Sequence, residues 1–342
     1  MAARHKSTSP VKNSISFAFD IDGVLLKSSK PIPGATDALK LLRKHNIPFI
    51  LLTNGGGLSE KARVSDLTRY LDIPISASQF IQSHTPFQGD ISTHGYRNVL
   101  VCGGVLDTCR QVALGYGFPH VTIPFDVLAR DGAIWPYHAL TGPETACAVP
   151  LGRDPIDAIY VFHDPRDWGL DSQVILDVLL SRGGRVGTRQ VAEQAVPIYF
   201  SNPDLLWANA YALPRFGQGA FQILIEGLYR ATTGRELVST TIGKPSDRTY
   251  KYADDVLRRF RSQSQGSAQP LVPGNEKVYM VGDNKLSDIQ GANDFGWDSI
   301  LVRTGVFDGT PEEGRSGDVP AKYCVADVQE AVEMVLLKEG II

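Results

Sequence analysis

The sequence predicts an α/β protein: a parallel-sheet core with a second α/β unit inserted into it as a cap. Short apolar runs alternate with helical patterns over the first eighty residues, as a parallel sheet with crossover helices requires. From about residue 97 a second alternating series begins before the first resumes. The chain has 342 residues, more than one hydrophobic core usually holds, so two domains are expected. A hydrophobic fraction of 43% is ample to fill both.

In order, residues 1–16 carry Arg4, Lys6 and Lys12, several Ser and Thr, and no acid, and read as a flexible tail. The same composition fits a short mitochondrial transit segment, although Pro10 and the shortage of apolar residues oppose an amphipathic helix there. The first part of the core, 17–85, reads as strand 15–20, helix 34–45, strand 47–52, helix 58–71 and a short strand at Phe80-Ile81. Ser83-His84-Thr85-Pro86 breaks the pattern as a hinge. The cap, 86–215, reads as strand 98–102, a helix from Leu106, strand 158–162, helix 171–181 and strand 196–200. Gly217 and Gly219 suit a flexible return to the core, which occupies 216–342. Helices 218–232 and 247–262 follow, then a polar loop over 262–275, strand 278–281, strand 299–303 and helix 327–338.

Composition narrows the function. A net charge of −3 offers no basic field for nucleic acid. No apolar run reaches the ~18 residues of a membrane span. Cys102, Cys109, Cys147 and Cys324 form no CxxC pair and no metal-ligand spacing with histidine, so they read as free thiols of a reducing compartment. A cytoplasmic location is expected, with a mitochondrial one as the alternative.

The chemistry concentrates in four segments. Asp20-Ile21-Asp22-Gly23 follows the apolar run Ile15–Phe19. Two unpaired buried carboxylates would cost several kcal/mol each, so a cation or a reaction explains them better than packing does. Residues i and i+2 of an extended chain point the same way, toward the carboxyl edge of the sheet, where open α/β sheets bind ligands. An EF-hand calcium loop would need a glutamate at its twelfth position, and counting from Asp20 that residue is Pro31. The second run, Ile47–Leu52, ends in Thr53-Asn54-Gly55-Gly56-Gly57, a hydroxyl beside glycine-freed amides. That suits a phosphoryl oxygen, or is simply a glycine-rich turn. Lys244 stands between Gly243 and Pro245, where a lysine alone is usually a solvated charge. Last, Val278–Val281 leads into Gly282-Asp283-Asn284-Lys285-Leu286-Ser287-Asp288.

Strand-Asp-x-Asp, strand-Thr, Lys and strand-Gly-Asp-x4-Asp, in this order, resemble the four motifs of the haloacid dehalogenase superfamily. Asp-Ile-Asp-Gly-Val, Thr-Asn-Gly-Gly-Gly, Ser201-Asn202-Pro203-Asp204, Gly-Lys-Pro and Gly-Asp-Asn resemble its class IIA, with a large α/β cap between the second and third motifs. Within that class, the segments 201–207, 214–221 and 243–246 are similar to the cat-eye-syndrome critical region protein 5 family. The resemblance runs from about Ile15 to the C-terminus and implies a Rossmann-like core. Lys285 departs from it, since a proline is expected there, and it brings a positive charge to the loop.

The resemblance implies roles. Asp20 is the expected nucleophile, forming an aspartyl-phosphate; Asp22 the general acid and then base. Its aspartate favours phosphate esters, because members acting on carbon–halogen or phosphonate bonds lack one at that position. Thr53, with the Asn54 and Gly55 amides, would bind phosphoryl oxygens, and Lys244 would bridge Asp20 and the phosphoryl group. Asp20, Asp22 through its carbonyl, Asp283 and Asp288 would hold a cation, with Asp288 acting through water or by positioning Lys244. Oxygen-only ligation suits Mg²⁺. Substrate choice falls to the loop from Leu205 to Phe216, where Trp207 could pack on a leaving group and Arg215 hold a second anion; the apolar members could equally pack cap on core. His163–Trp168, at the end of a cap strand, is a second candidate for substrate choice or a capped turn before helix 171–181, and His84, His120 and His138 receive no role. The resulting expectation is a Mg²⁺-dependent phosphatase of a small phosphorylated metabolite, and the resemblance implies a homodimer through the cap. The alternatives are a phosphotransferase using the same intermediate and a low-turnover phosphate-binding regulatory protein.

Overall fold

The structure, a computed structural model, describes residues 14–190, 193–207, 211, 213–264 and 276–342. Its first sheet has six parallel strands in the spatial order Tyr323–Val325, Asp298–Val302, Glu276–Gly282, Ser14–Phe19, Phe49–Leu52 and Phe80–Ile81. Both faces are covered, which is why these strands read as unbroken apolar runs. Ile15, Phe17 and Phe19 point to one face with Phe49, Leu51, Tyr279 and Val281, where helices Ala35–Lys44 and Val328–Lys338 close over them. Ala18, Ile50, Leu52 and Met280 point to the other, against Tyr250, Ala253 and Leu257 of helix Asp247–Ser264. The period of two along each strand thus feeds two separate cores. Burying a ring such as Phe19 fully is worth about 1.5–3 kcal/mol.

The second sheet has five parallel strands in the order Ser239–Thr241, Ile198–Phe200, Ala158–Val161, Asn98–Cys102 and His120–Thr122. One face packs on helices Trp168–Leu179 and Gln218–Thr233 through Ile159, Val161, Phe200, Val174, Phe221 and Ile225. The other packs on helix Thr108–Tyr116 and on Phe87, with Tyr160 and Tyr199 stacked at 4.7 Å.

Three sequence expectations change here. The return to the first sheet does not come at 216: helix Gln218–Thr233 buries its apolar stripe on the second sheet, and Ser239–Thr241 pairs with Ile198–Phe200 in that sheet. The chain goes back only at Ile242–Lys244. Gly217 precedes the helix as its N-cap, and Gly219 is pressed against the Pro203 carbonyl, so neither marks the return. The tail expected over 1–16 overlaps a strand, because Ser14–Ser16 already pair with Glu276–Val278; residues 1–13 lie outside the described residues. Helix Asp247–Ser264 takes the first three residues of the expected polar loop, whose residues 265–275 lie outside the described residues. Strand Tyr323–Val325, helix Pro124–Arg130 and strand Ser239–Thr241 were too short or too polar to stand out in the sequence. All four cysteines are free, three of them buried and Cys147 half-buried. No helix among the described residues is long and apolar enough to cross a membrane.

Candidate active site

The six-stranded sheet delivers its acids to one point because Ser14–Phe19 and Glu276–Gly282 are parallel neighbours in register, Phe19 opposite Val281. Asp20 and Asp283 therefore leave adjacent strand ends together, and Asp20 N–H donates to the Val281 carbonyl at 2.9 Å. Carboxylate oxygens of Asp20, Asp283 and Asp288 lie within 4.8 Å of one another, and all three residues are buried. Lys244, buried to 2% exposure, enters from the other end of the chain. Its Nζ donates to Asp20 Oδ1 and to Asp288 Oδ1, both at 2.6 Å.

Backbone amides fix the acids. Asp288 Oδ2 accepts from the Asp283 and Asn284 amides at 3.1 Å each, across the π-helical turn Lys285–Ile289. Both its oxygens are thus engaged, one by Lys244 and one by the two amides. Asp283 Oδ2 accepts from the Val306 amide at 2.6 Å. Gly23 (φ +87°) and Gly305 line this carboxylate, and a Cβ at either would stand 2.3 or 1.9 Å from Asp283 Oδ2. Only glycine lets both loops close on Asp283.

The electrostatics are those of a cluster short of positive charge. Burial pushes Asp20 well above the usual carboxylate range, with Asp288 and Asp283 adding to it and Lys244 opposing it. Burial and Asp288 push Asp283 up to about 7. Burial would lower the Lys244 ammonium, but Asp20 and Asp288 hold it above its ordinary value. Were all three carboxylates ionised, one ammonium would leave two negative charges, the deficit of one divalent cation. The donors are all oxygen, which fits a hard cation.

Asp22 stands apart. The residue is solvent-exposed, yet surrounding protein raises its carboxyl through desolvation, against the pull of Arg63 and Lys244. Thr53 is buried at the end of Phe49–Leu52, and its hydroxyl oxygen accepts from Gly55 N–H at 3.0 Å. That leaves the Thr53 O–H to donate, while the Gly55 amide is taken. The Asn54 side chain faces Lys244: Oδ1 accepts from Lys244 N–H at 2.7 Å, and Nδ2 donates to Lys244 O at 3.0 Å and to Asp204 Oδ1 at 3.1 Å.

Trp207 and Arg215 are not brought to the acids. They pair across a two-stranded hairpin, Leu206–Trp207 with Arg215–Phe216, and are exposed. Arg215 donates to the Pro214 carbonyl and covers the Tyr211 ring at 4.7 Å. Residues 208–210 and 212 of this loop lie outside the described residues. Lys285 also turns away, donating to the Glu313 and Ser316 carbonyls at 2.9 and 2.8 Å, so its charge does not enter the cluster.

Several site residues escaped sequence reasoning. Asp204, pushed up to about 6 by burial against the opposing Lys244 charge and Asn54 bond, anchors Asn54. Asn202 Nδ2 donates to the Asn54 carbonyl at 3.2 Å; only the resemblance of Ser201–Asp204 pointed to this segment. His163, by contrast, opens a segment already singled out in the sequence; at the end of Ala158–Val161 it lays its ring on Gly57, where a Cβ would approach to 2.5 Å. His84 accepts from Gly57 N–H at 3.1 Å through Nε2 and meets Tyr116 Oη at 2.8 Å through Nδ1. Tyr116 in turn donates to Glu60, so this chain of bonds ties the glycine loop to helices of both sheets. Asp167 caps the helix that begins at Trp168, as the capped-turn reading expects.

A family model described as haloacid dehalogenase-like hydrolase matches residues 17–119, and a second of the same kind matches residues 241–331. The chain is 41% identical over 344 residues to a mitochondrial hydrolase of Saccharomyces cerevisiae, covering 95% of this chain and 96% of that protein. It is also 41% identical over 334 residues to a cardiolipin synthase (CMP-forming)/mitochondrial hydrolase fusion protein of Schizosaccharomyces pombe, covering 96% of this chain but 54% of the fusion. Among solved structures, the p-nitrophenyl phosphatase of Archaeoglobus fulgidus shares the fold with a TM-score of 0.64 at 18% identity, over 94% of this chain and 99% of that one. Motif order, site geometry and near-full-length identity agree: the chain belongs to the haloacid dehalogenase-like hydrolases.

Proposed function

We propose that the protein is a Mg²⁺-dependent phosphatase that hydrolyses a small phosphorylated metabolite through an aspartyl-phosphate on Asp20. The observation that carries this reading is the Lys244 ammonium, 2.6 Å from both Asp20 and Asp288 inside a buried acid cluster. Asp20, with one oxygen held by Lys244, presents the other as nucleophile. The Thr53 hydroxyl and Lys244 stabilise charge spreading over the phosphoryl oxygens. Asp22, exposed and with its carboxyl raised, donates a proton to the leaving oxygen and takes one from the water that clears the intermediate. The Asp20 and Asp283 carboxylates and the Asp22 carbonyl would hold Mg²⁺, which when bound supplies the positive charge the cluster lacks. Asn54 positions Lys244, and Asn202 and Asp204 hold Asn54 from the second sheet's side.

The division into a core and a cap that shields the site belongs to the same proposal, with the boundary at Ile242–Lys244. The curated names of both relatives, together with the basic, acid-free first residues, support a mitochondrial location. The test is phosphate release from a panel of phosphorylated metabolites with Mg²⁺, with Asp20→Asn alongside and an alcohol acceptor added to reveal transfer. Release of phosphate from one compound by wild type only supports the reading. Equal, weak release by both proteins overturns it.

A further inference from the structure

Asn98–Cys102 is the first strand of the five-stranded sheet in chain order. His120–Thr122 is added on one side of it, and Ala158–Val161 and the later strands on the other. Open α/β sheets bind ligands beyond the carboxyl ends of the strands where the winding reverses. In the six-stranded sheet that point, between Ser14–Phe19 and Glu276–Gly282, holds Asp20 and Asp283. In the five-stranded sheet it lies between Asn98–Cys102 and Ala158–Val161. A cavity of about 380 Å³ opens there, a volume in the range of small-molecule sites. None of Asp20, Asp22, Thr53, Lys244, Asp283 and Asp288 lines it.

Hydrogen-bond donors gather on one wall of this cavity. Asn98–Cys102 runs through Gly103-Gly104 into helix Thr108–Tyr116, whose first turn lines the cavity with Cys109 and Arg110. A Cβ at Gly103 (φ +99°) would stand 1.9 Å from the His163 carbonyl oxygen, so only glycine makes this turn. Asp107, at the N-cap, gives the turn no side-chain hydrogen bond, and the helix starts on the cavity uncapped. Arg110 is 4% exposed. Its guanidinium pairs with Asp126 and donates to the Cys147 carbonyl at 2.6 Å. Its Nε is buried and, among the described residues, has no partner. An N–H withheld from water and acceptor alike is costly, and an oxygen brought to it removes that cost.

The acids of the wall are engaged elsewhere. Glu144 and Asp167 stand on either side of His138, at 3.0 and 3.3 Å. Glu144 also accepts from the Thr141 amide at 2.8 Å, and Asp167 from the Leu170 amide at 2.9 Å. Asp171 is buried, and burial with the Asp167 carboxylate pushes its carboxyl up to about 8, against a hydrogen bond from the Asp167 main chain. Near pH 7 it is therefore a neutral acid with a proton to donate. Arg166, exposed, joins no ion pair among the described residues. A single negative charge is what Arg166 can match, while a phosphate dianion would also face Glu144 and Asp167.

We propose that this cavity is a second ligand site, distinct from the acid cluster, that takes a small organic carboxylate with an apolar body. The carboxylate would accept from Arg110 Nε and the uncapped helix start, with Arg166 supplying the opposite charge. The body would lie against Phe125 and Trp168, which line the same cavity. This site is independent of the phosphatase reading.

The test uses the full chain and three flat probes of one shape: benzoate (anion), benzamide (neutral) and benzamidine (cation). Binding is followed by the amide resonances of Gly103 and Gly104 and the indole resonance of Trp168, which separate this site from the acid cluster. Benzoate is expected to shift them saturably, benzamide to bind about tenfold more weakly, and benzamidine to leave them unmoved. Arg110→Lys keeps a cation for Asp126 but removes the Nε donor, and should weaken benzoate about tenfold. Arg166→Gln, at an exposed position, should weaken it about threefold. Should Arg110→Lys fail to fold, Arg166→Gln and the comparison of the three probes on wild type decide. The proposal is overturned if benzoate leaves these resonances unmoved, if benzamide or benzamidine binds as tightly, or if a folded variant binds benzoate as wild type does.

Discussion

Replacing Asn54 by alanine tests how Lys244 is held. The Asn54 side chain is 9% exposed and makes three hydrogen bonds: one from Lys244 N–H (2.7 Å), one to Lys244 O (3.0 Å) and one to Asp204 Oδ1 (3.1 Å). Alanine leaves a buried amide, a carbonyl and a carboxylate each short of a partner. At about 1 kcal/mol or slightly more for each, the loss comes to about 3–4 kcal/mol. That is a large part of a typical stability of about 5–15 kcal/mol, yet the protein should remain folded. Activity should fall further than stability suggests, because an ångström of drift at Lys244 lowers turnover about a hundredfold. Urea unfolding reads the first quantity, and phosphate release on the substrate identified by the panel reads the second, with kcat falling more than KM rises. A stability change below about 1 kcal/mol together with kcat within about twofold would refute the argument. Asp20 and Asp288 would then hold Lys244 unaided.

Other outcomes follow from the same geometry. Addition of Mg²⁺ should raise the unfolding temperature, by about 2.7 kcal/mol of stability at a hundredfold excess over its dissociation constant, and chelation should reverse it. Asp283→Asn should abolish that increment in a calorimetric scan. His84, depressed to about 3 from 6.5 by burial and by His163, is neutral in the fold. The unfolded chain alone takes up a proton as pH falls below 6.5, so acidification costs stability: about 2 kcal/mol between pH 6.5 and about pH 5. His84→Gln should remove that part of the slope in urea titrations at the two pH values. Lys285→Pro should change stability by less than about 1 kcal/mol and leave Mg²⁺ binding intact. Asn284 already has the extended backbone (φ −119°, ψ 118°) that precedes a proline, and position 285 opens a helical turn.

The sequence alone determined where the site's acids and hydroxyl stand and most of the fold, and for a local reason. Asp20, Thr53 and Asp283 each sit directly after an apolar run, and a parallel strand buried on both faces leaves a polar residue only at its end. The runs ending at Phe19, Leu52 and Gly282 therefore announced both the strands and the residues they deliver. What the tertiary structure decided concerns partners far apart in the chain. Helix Gln218–Thr233 has an apolar stripe that either sheet could have covered, and only the packing of Phe221 and Ile225 on the second sheet places the return at Ile242–Lys244. Asn54 reads as a backbone donor in a phosphate loop; its side chain, about which the local pattern says nothing, holds Lys244, 190 positions away. Trp207 and Arg215, suited by type to a substrate pocket, pair in an exposed hairpin. Residue type and local pattern state what a side chain can do; only the fold states what lies within three ångströms of it.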